Sequence, residues 1–128
     1  MKPIKQFFVL SFLFVAFSSF TGITDEVASA LKAGNAFKLS AFFHSKVDIT
    51  ILDDSDLLTK LEAEKMVYDF FHENEPSHFE ILHQGKSKSG LAYTIGKLTT
   101  KTGVFRVSYY IMKKGNSEYI QQIIIDSE

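Results

Sequence analysis

The chain has no cysteine, two prolines and a single arginine in 128 residues. Each shortage removes a class of function. Without a thiol there is no disulfide framework, no thiolate metal site, no cysteine nucleophile and no lipid-bearing cysteine behind an export signal. One arginine among fourteen basic residues, in a chain of net charge −1, suits nucleic acid poorly, because phosphate backbones are gripped by clustered Arg and Lys. No nucleic-acid partner is expected. A serine nucleophile elbow, a phosphate-binding loop and a dinucleotide fingerprint are also missing. Acid is absent from one long stretch: Ile81 to Ser117 contains no Asp or Glu but seven Lys/Arg.

Long apolar runs are equally scarce. "FFVLSFLFVAF", Phe7–Phe17, follows Lys2 and Lys5 and runs into Ala16-Phe17-Ser18, which places small residues at −3 and −1 of a cleavage site. That is the pattern of a secretory signal, and the run is too short and too interrupted by serine to span a membrane. We therefore expect residues 1–22 to be a cleaved signal peptide, cut between Ser18 and Gly22. Residues 23–128 then form a single domain that is periplasmic or secreted, with no stable membrane span. Loss of Lys2 and Lys5 leaves twelve basic against fifteen acidic residues, a net charge of −3. An exported chain without cysteine fits a bacterial envelope protein with an ordinary core.

What is present reads as helices followed by strands. Thr24 is placed to cap a helix whose Val27, Ala30 and Leu31 recur at helical spacing. Gly34 stops it and Asn35 caps a second helix, "NAFKLSAFF", with Leu39, Phe42 and Phe43 on one face. "VDITIL" alternates as a strand with Val47, Ile49 and Ile51 inward. "DDSD" reads as a turn, and Thr59 with Glu62 forms a capping box. The helix it opens runs to about Asn74, lays Met66, Val67, Phe70 and Phe71 on one stripe, and is ended by Pro76. Four strands follow, near 79–84, 91–100, 104–113 and 118–126, separated by glycine-containing turns. The expected fold is α+β, in the order α-α-β-α-β-β-β-β, with helices packed in the concave face of a curved antiparallel sheet.

"LKAGNAFKLSAFFHSKVDITI" resembles the opening of nuclear-transport-factor-2-like (cystatin-like) domains, and the element order resembles that superfamily over nearly the whole domain. "VDITILD", "AEKMVYDFF" and "YTIGKLTTKTGVFRVSYYIMKK" resemble short exported proteins of unknown function from Bacteroidetes-type bacteria. The resemblance implies a cone-shaped fold and an export route. In enzymes of the superfamily an Asp–His pair, or an Asp with tyrosine donors, lines the cone. Here the position before the first strand that often carries aspartate is Ser45-Lys46.

Candidate site residues fall into two groups. His83 shares the parity of Phe79 and Ile81 and is expected to point into the concave side, with Tyr68, Tyr93 and Tyr109 as ligand-binding neighbours. Arg106 shares the opposite parity of its strand with Val104, Tyr110 and Met112. A mixed aromatic, Met and Arg surface is the composition enriched at protein interfaces. His72, His78 and His83 lack a metal-ligand spacing, and we expect no metal and no cofactor.

The reading that follows is an exported, non-catalytic binding or interaction domain of the bacterial cell envelope. Its expected partners are a second copy of itself, through the outer sheet face, or an anionic envelope component facing the basic strands. The alternative is a small pocket enzyme with isomerase- or dehydratase-like acid–base chemistry around His83. A cone plugged by Phe70, Phe71, Phe79 and Phe105 favours the first; a deep pocket with converging polar groups favours the second. Fractionation of the expressing bacterium, with mass spectrometry, is expected to find a mature chain lacking about 20 N-terminal residues. A full-length cytosolic product would overturn the export reading.

Overall fold

A computed structural model describes residues 22–128, so the signal-peptide expectation for residues 1–22 falls almost entirely outside the described residues. Helix α1 spans Thr24–Ala33 and helix α2 spans Ala36–Ser40. Strands β1 (Phe43–Ile51) and β2 (Asp54–Thr59) precede helix α3 (Lys60–Glu73). Strands β3 (Pro76–Lys86), β4 (Ala92–Thr100), β5 (Val104–Lys114) and β6 (Ser117–Ser127) complete the chain. The six strands form one sheet in the order β2-β1-β6-β5-β4-β3.

Local chemistry accounts for most of the boundaries. Gly34 ends α1 in a left-handed conformation (φ 64°) with its N–H donating to the Ala30 and Leu31 carbonyls, a geometry that costs a residue without Cβ little. The Pro76 ring abuts it, and a β-carbon at Gly34 would lie 2.8 Å from Pro76 Cδ. The end of α1 and the start of β3 are thereby held together. Asn35 Oδ1 accepts from the Lys38 N–H at 3.0 Å, capping α2 as expected. The capping box of α3 is also formed: Thr59 Oγ1 accepts from the Glu62 N–H at 3.3 Å, and Glu62 Oε1 accepts from the Thr59 N–H at 3.0 Å. The Thr59 N–H, and the Thr59 hydroxyl that donates to Glu62 Oε1 at 2.9 Å, hold the Glu62 carboxyl below the usual carboxylate range, with Lys46 adding a smaller pull.

Four expectations are corrected. Thr24 is the first helical residue, and Ile23, which has no side-chain cap to offer, stands at the N-cap. The second helix ends at Ser40 rather than running to Phe43, because Phe43 is already in β1 and the Phe42 carbonyl accepts from Ile120 of β6 at 2.7 Å. "DDSD" is not a turn. The chain reverses at Leu52-Asp53, with Leu52 at φ 56°, and Asp54–Asp56 enter the edge strand β2 opposite Ile49–Ile51. Acidic residues on an edge strand need no apolar partner and discourage pairing with other chains, so the strand carries no alternation to read. Finally the sheet is mixed, since β1 runs parallel to β6 while the other neighbours are antiparallel.

All three helices cover one face. The inward side chains Val47, Ile49 and Ile51 of β1, Ile123 and Ile125 of β6, and Val107 and Tyr109 of β5 meet Val27 and Leu31 of α1, Leu39 of α2, and Val67, Phe70 and Phe71 of α3 in one core. Phe70 meets Phe105 edge to face, with centroids 5.0 Å apart and planes at 80°, the arrangement that aromatic quadrupoles favour. Phe79 lies over Gly96, where a β-carbon would run into the Phe79 ring and the Glu80 carbonyl oxygen 2.8 Å away.

Phe70 is 4% exposed, and its truncation leaves a void between α3 and β5. Phe70→Ala is expected to lower the unfolding free energy by about 3–5 kcal/mol in denaturant titrations. A loss below about 1 kcal/mol would remove that ring from the core.

Candidate functional site: the open face of the sheet

The β3–β4 ladder pairs Ile81 with Gly96 and then His83 with Ile95, leaving Leu82 as an extra residue in β3. Such a bulge reverses the parity of everything beyond it. Phe79 is accordingly buried and Ile81 half-buried, whereas His83 is exposed. The expectation that His83 points into the concave side is corrected: it stands on the helix-free face. Its Nε2 lies 3.1 Å from the Tyr93 hydroxyl, and the two rings are 5.7 Å apart.

Tyr93 continues the row. It pairs with Tyr110 across the β4–β5 ladder, with ring centroids 5.9 Å apart. The Tyr93 ring also covers Gly85, where a β-carbon would sit 2.9 Å from the phenol oxygen. Any larger residue at 85 would lift the ring away from His83. His83, Tyr93 and Tyr110 thus form an aromatic strip across three adjacent strands.

Arg106 borders this strip. It is exposed, and its ladder neighbours are Lys97 on β4 and Asp126 on β6. A shallow depression of about 370 Å³ is lined by Leu82, His83, Ile95, Arg106 and Glu128. Val104 is 37% exposed at one end of β5, and Met112 is half-buried toward the other. The residues assigned to two separate sites, a pocket around His83 and an interface around Arg106, therefore lie on a single surface.

Two candidates lie elsewhere. Tyr68 is exposed on α3, stacked on His72 with centroids 6.2 Å apart and planes 8° from parallel. Tyr109 is fully buried in the core, and its hydroxyl has no hydrogen-bond partner among the described residues. Burial pushes this phenol up to about 12. Thr94, opposite it in the ladder, draws it back slightly without reaching hydrogen-bond geometry, and the Asp25 charge pushes it further up. The four proposed ligand-binding residues are therefore not one constellation: His83 and Tyr93 meet, while Tyr68 and Tyr109 are apart from them.

Chemically, the open face offers stacking area, hydroxyl and imidazole hydrogen bonds, and one delocalised cation. It offers no enclosure from water, which acid–base catalysis relies on to strengthen its electrostatics. In the interior Phe70, Phe71, Phe79 and Phe105 are all at most 9% exposed, and Phe70 also borders an open cleft of about 750 Å³ with Met66, Asp53, Asp54, Asp69 and Glu73. In the sequence the bulge leaves one trace: Ile81 and Leu82 are adjacent apolar residues in an otherwise alternating strand.

Three helices on one face of a curved mixed sheet define the nuclear-transport-factor-2-like, cystatin-like α+β class. A cystatin-like domain of unknown function from Nostoc punctiforme superposes with a TM-score of 0.64 at 14% identity, covering 87% of this chain and 76% of that one. A nuclear-transport-factor-2-like protein of unknown function from Shewanella baltica does so with a TM-score of 0.62 at 13% identity, covering 83% and 88%. At these identities the likeness is one of fold. Within that class the chain belongs to the DUF4783 family, a domain of unknown function whose model matches residues 24–126. The crystal structure of a DUF4783 family protein from Bacteroides uniformis is 34% identical, covers 84% of this chain and 98% of its own, and has a TM-score of 0.78. No curated protein matches the chain.

The unpaired Tyr109 hydroxyl yields a prediction. A buried donor without a partner costs roughly 1–3 kcal/mol, so Tyr109→Phe is expected to stabilise the fold by about 1 kcal/mol in denaturant unfolding. A loss of stability would mean that the hydroxyl is paired. In the parent the folded state holds its phenolic proton more tightly than the unfolded state. That contribution to stability is complete below pH 10, the ordinary phenol value, and is lost as pH rises toward about 12. Phenolate absorbance should show Tyr109 ionising after the other tyrosines, with unfolding.

Proposed function

We propose that this protein is an exported, non-catalytic interaction module of the bacterial cell envelope. It works through the open sheet face and self-associates there as a two-fold dimer. The observation that carries this reading is the filled cone. Where the superfamily's enzymes keep a cavity, Phe70, Phe71, Phe79 and Phe105 close the space, so recognition is left to the exterior. The outer face has the chemistry for it: tyrosines, Met112 and Ile95 provide apolar area, and Arg106 sits among them. Covering that patch removes apolar surface from water.

The counter-charge for Arg106 comes from its own face. The acidic helix α3 packs on the opposite side of the sheet, whereas Asp126 and Glu128 flank Arg106 on the outside. In an isologous contact each copy can set its arginine against those acids of the other. An acid–base role for His83 is less well supported, because its partner Tyr93 and the pair itself stand in solvent on an uncovered surface.

Sedimentation velocity tests the reading. The parent is expected to dimerise, and Arg106→Glu to weaken association by tenfold or more (about 1.4 kcal/mol), with an unchanged circular dichroism spectrum. A parent that stays monomeric at high micromolar concentration would overturn self-association.

A further inference from the structure

At the other end of β5 from Arg106, three segments meet around an open cleft of about 540 Å³. The start of β1 brings Phe43, His44 and Ser45, the β2–α3 junction brings Thr59, Lys60 and Leu61, and the β5–β6 hairpin brings Lys114 and Tyr119. We propose that this cleft is a binding site for an anionic saccharide, a sugar ring bearing a carboxylate.

Three features of the cleft point to that class. The first is charge: Lys60 and Lys114 line it and no carboxylate does. Neither lysine forms an ion pair among the described residues, where the one such pair is Lys101–Glu75. Of the nearest acids in sequence, Glu62 is bound into the α3 capping box, and Glu118, whose carboxylate stands beside Gly22, pairs with neither lysine among the described residues. Two unpaired ammonium groups facing one space attract an anion and offer it charge-assisted hydrogen bonds.

Aromatic surface is the second feature. His44 and Tyr119 meet edge to face with centroids 5.6 Å apart and planes at 71°, and Leu61 stands 76% exposed in the same lining. Such a wall gives the C–H face of a sugar ring dispersion contacts that a bare phosphate cannot use. The third is the stock of neutral donors. The Ser45 and Tyr119 hydroxyls make no hydrogen bond among the described residues, while Thr59 is used by Glu62. A volume of this size falls in the range of small-ligand sites.

Phe43 of the lining belongs to the core and Tyr119 is the ladder partner of Met112, whereas the two lysines that carry the charge, Lys60 and Lys114, lie at the α3 start and the β5–β6 hairpin, away from Arg106. Charge alone did not mark it in the sequence. Lys114 belongs to the basic strands, but Lys60 comes from the acidic third helix, and only folding brings the two together.

Titration of the ¹⁵N-labelled protein with D-glucuronate, D-glucose and inorganic phosphate, followed by amide chemical shifts, tests the assignment. Glucuronate is expected to bind at millimolar concentration and to move the amides of residues 43–45, 59–61 and 114–119. Glucose and phosphate should produce much smaller shifts there. Lys60→Gln/Lys114→Gln, both at exposed positions, should retain a dispersed spectrum and weaken glucuronate binding by about tenfold. Self-association of this variant should be unchanged. No response to glucuronate, shifts centred elsewhere, an equal response to glucose or phosphate, or full binding by the double variant would each overturn the proposal.

Discussion

The contact between Phe70 on α3 and Phe105 on β5 is the constraint on which the rest of this structure depends. A curved sheet with helices on one side has a concavity, and what occupies it decides what the fold can do. Here two consecutive phenylalanines at the end of α3 reach into it, Phe105 rises from the sheet to meet the first, and Phe79 closes over Gly96. Dense aromatic packing of this kind is rigid. The packing that stabilises the domain therefore also occupies the concavity.

An occupied concavity moves attention to the surfaces. One residue of irregularity, the Leu82 bulge, turns His83 outward, and glycine at 85 lets the Tyr93 ring lie over β3. Together they create an aromatic strip where strict alternation would have left a histidine facing the core. Bulges commonly re-aim side chains in this way. The same face carries Arg106 between Lys97 and Asp126, so its charge is locally mixed, as suits a self-complementary contact. The cleft at the far end of β5 has a different character: two lysines without an ion pair among the described residues, an aromatic wall and hydroxyl groups. Two chemically distinct surfaces on one small domain are compatible with simultaneous use.

Tyr109 marks the boundary between packing and function. In a superfamily where tyrosines line cavities, a core tyrosine with an unsatisfied hydroxyl invites a functional role. Its full burial, with no partner at the oxygen and the phenol pushed up to about 12, is better explained as the cost of using a large ring to fill a core position. Proteins tolerate a few such groups.

The sequence by itself determined the three helices and three of their limits, because those depend on neighbours a few residues away: Gly34 at a left-handed C-cap, Asn35 as an N-cap, and Thr59 with Glu62 at the start of α3. It also determined the inner and outer parity of β1 and β5, since alternation is a local property. Tertiary structure alone decided the rest. "DDSD" became half of an edge strand because β1 was there to pair with it. The parallel β1–β6 pairing closed the sheet across seventy-odd intervening residues. His83 left the core through a bulge whose register is set by β4, and Lys60 met Lys114 only when α3 and the β5–β6 hairpin converged. Caps and parity are fixed by short-range geometry, whereas register and convergence are fixed by partners distant in the chain.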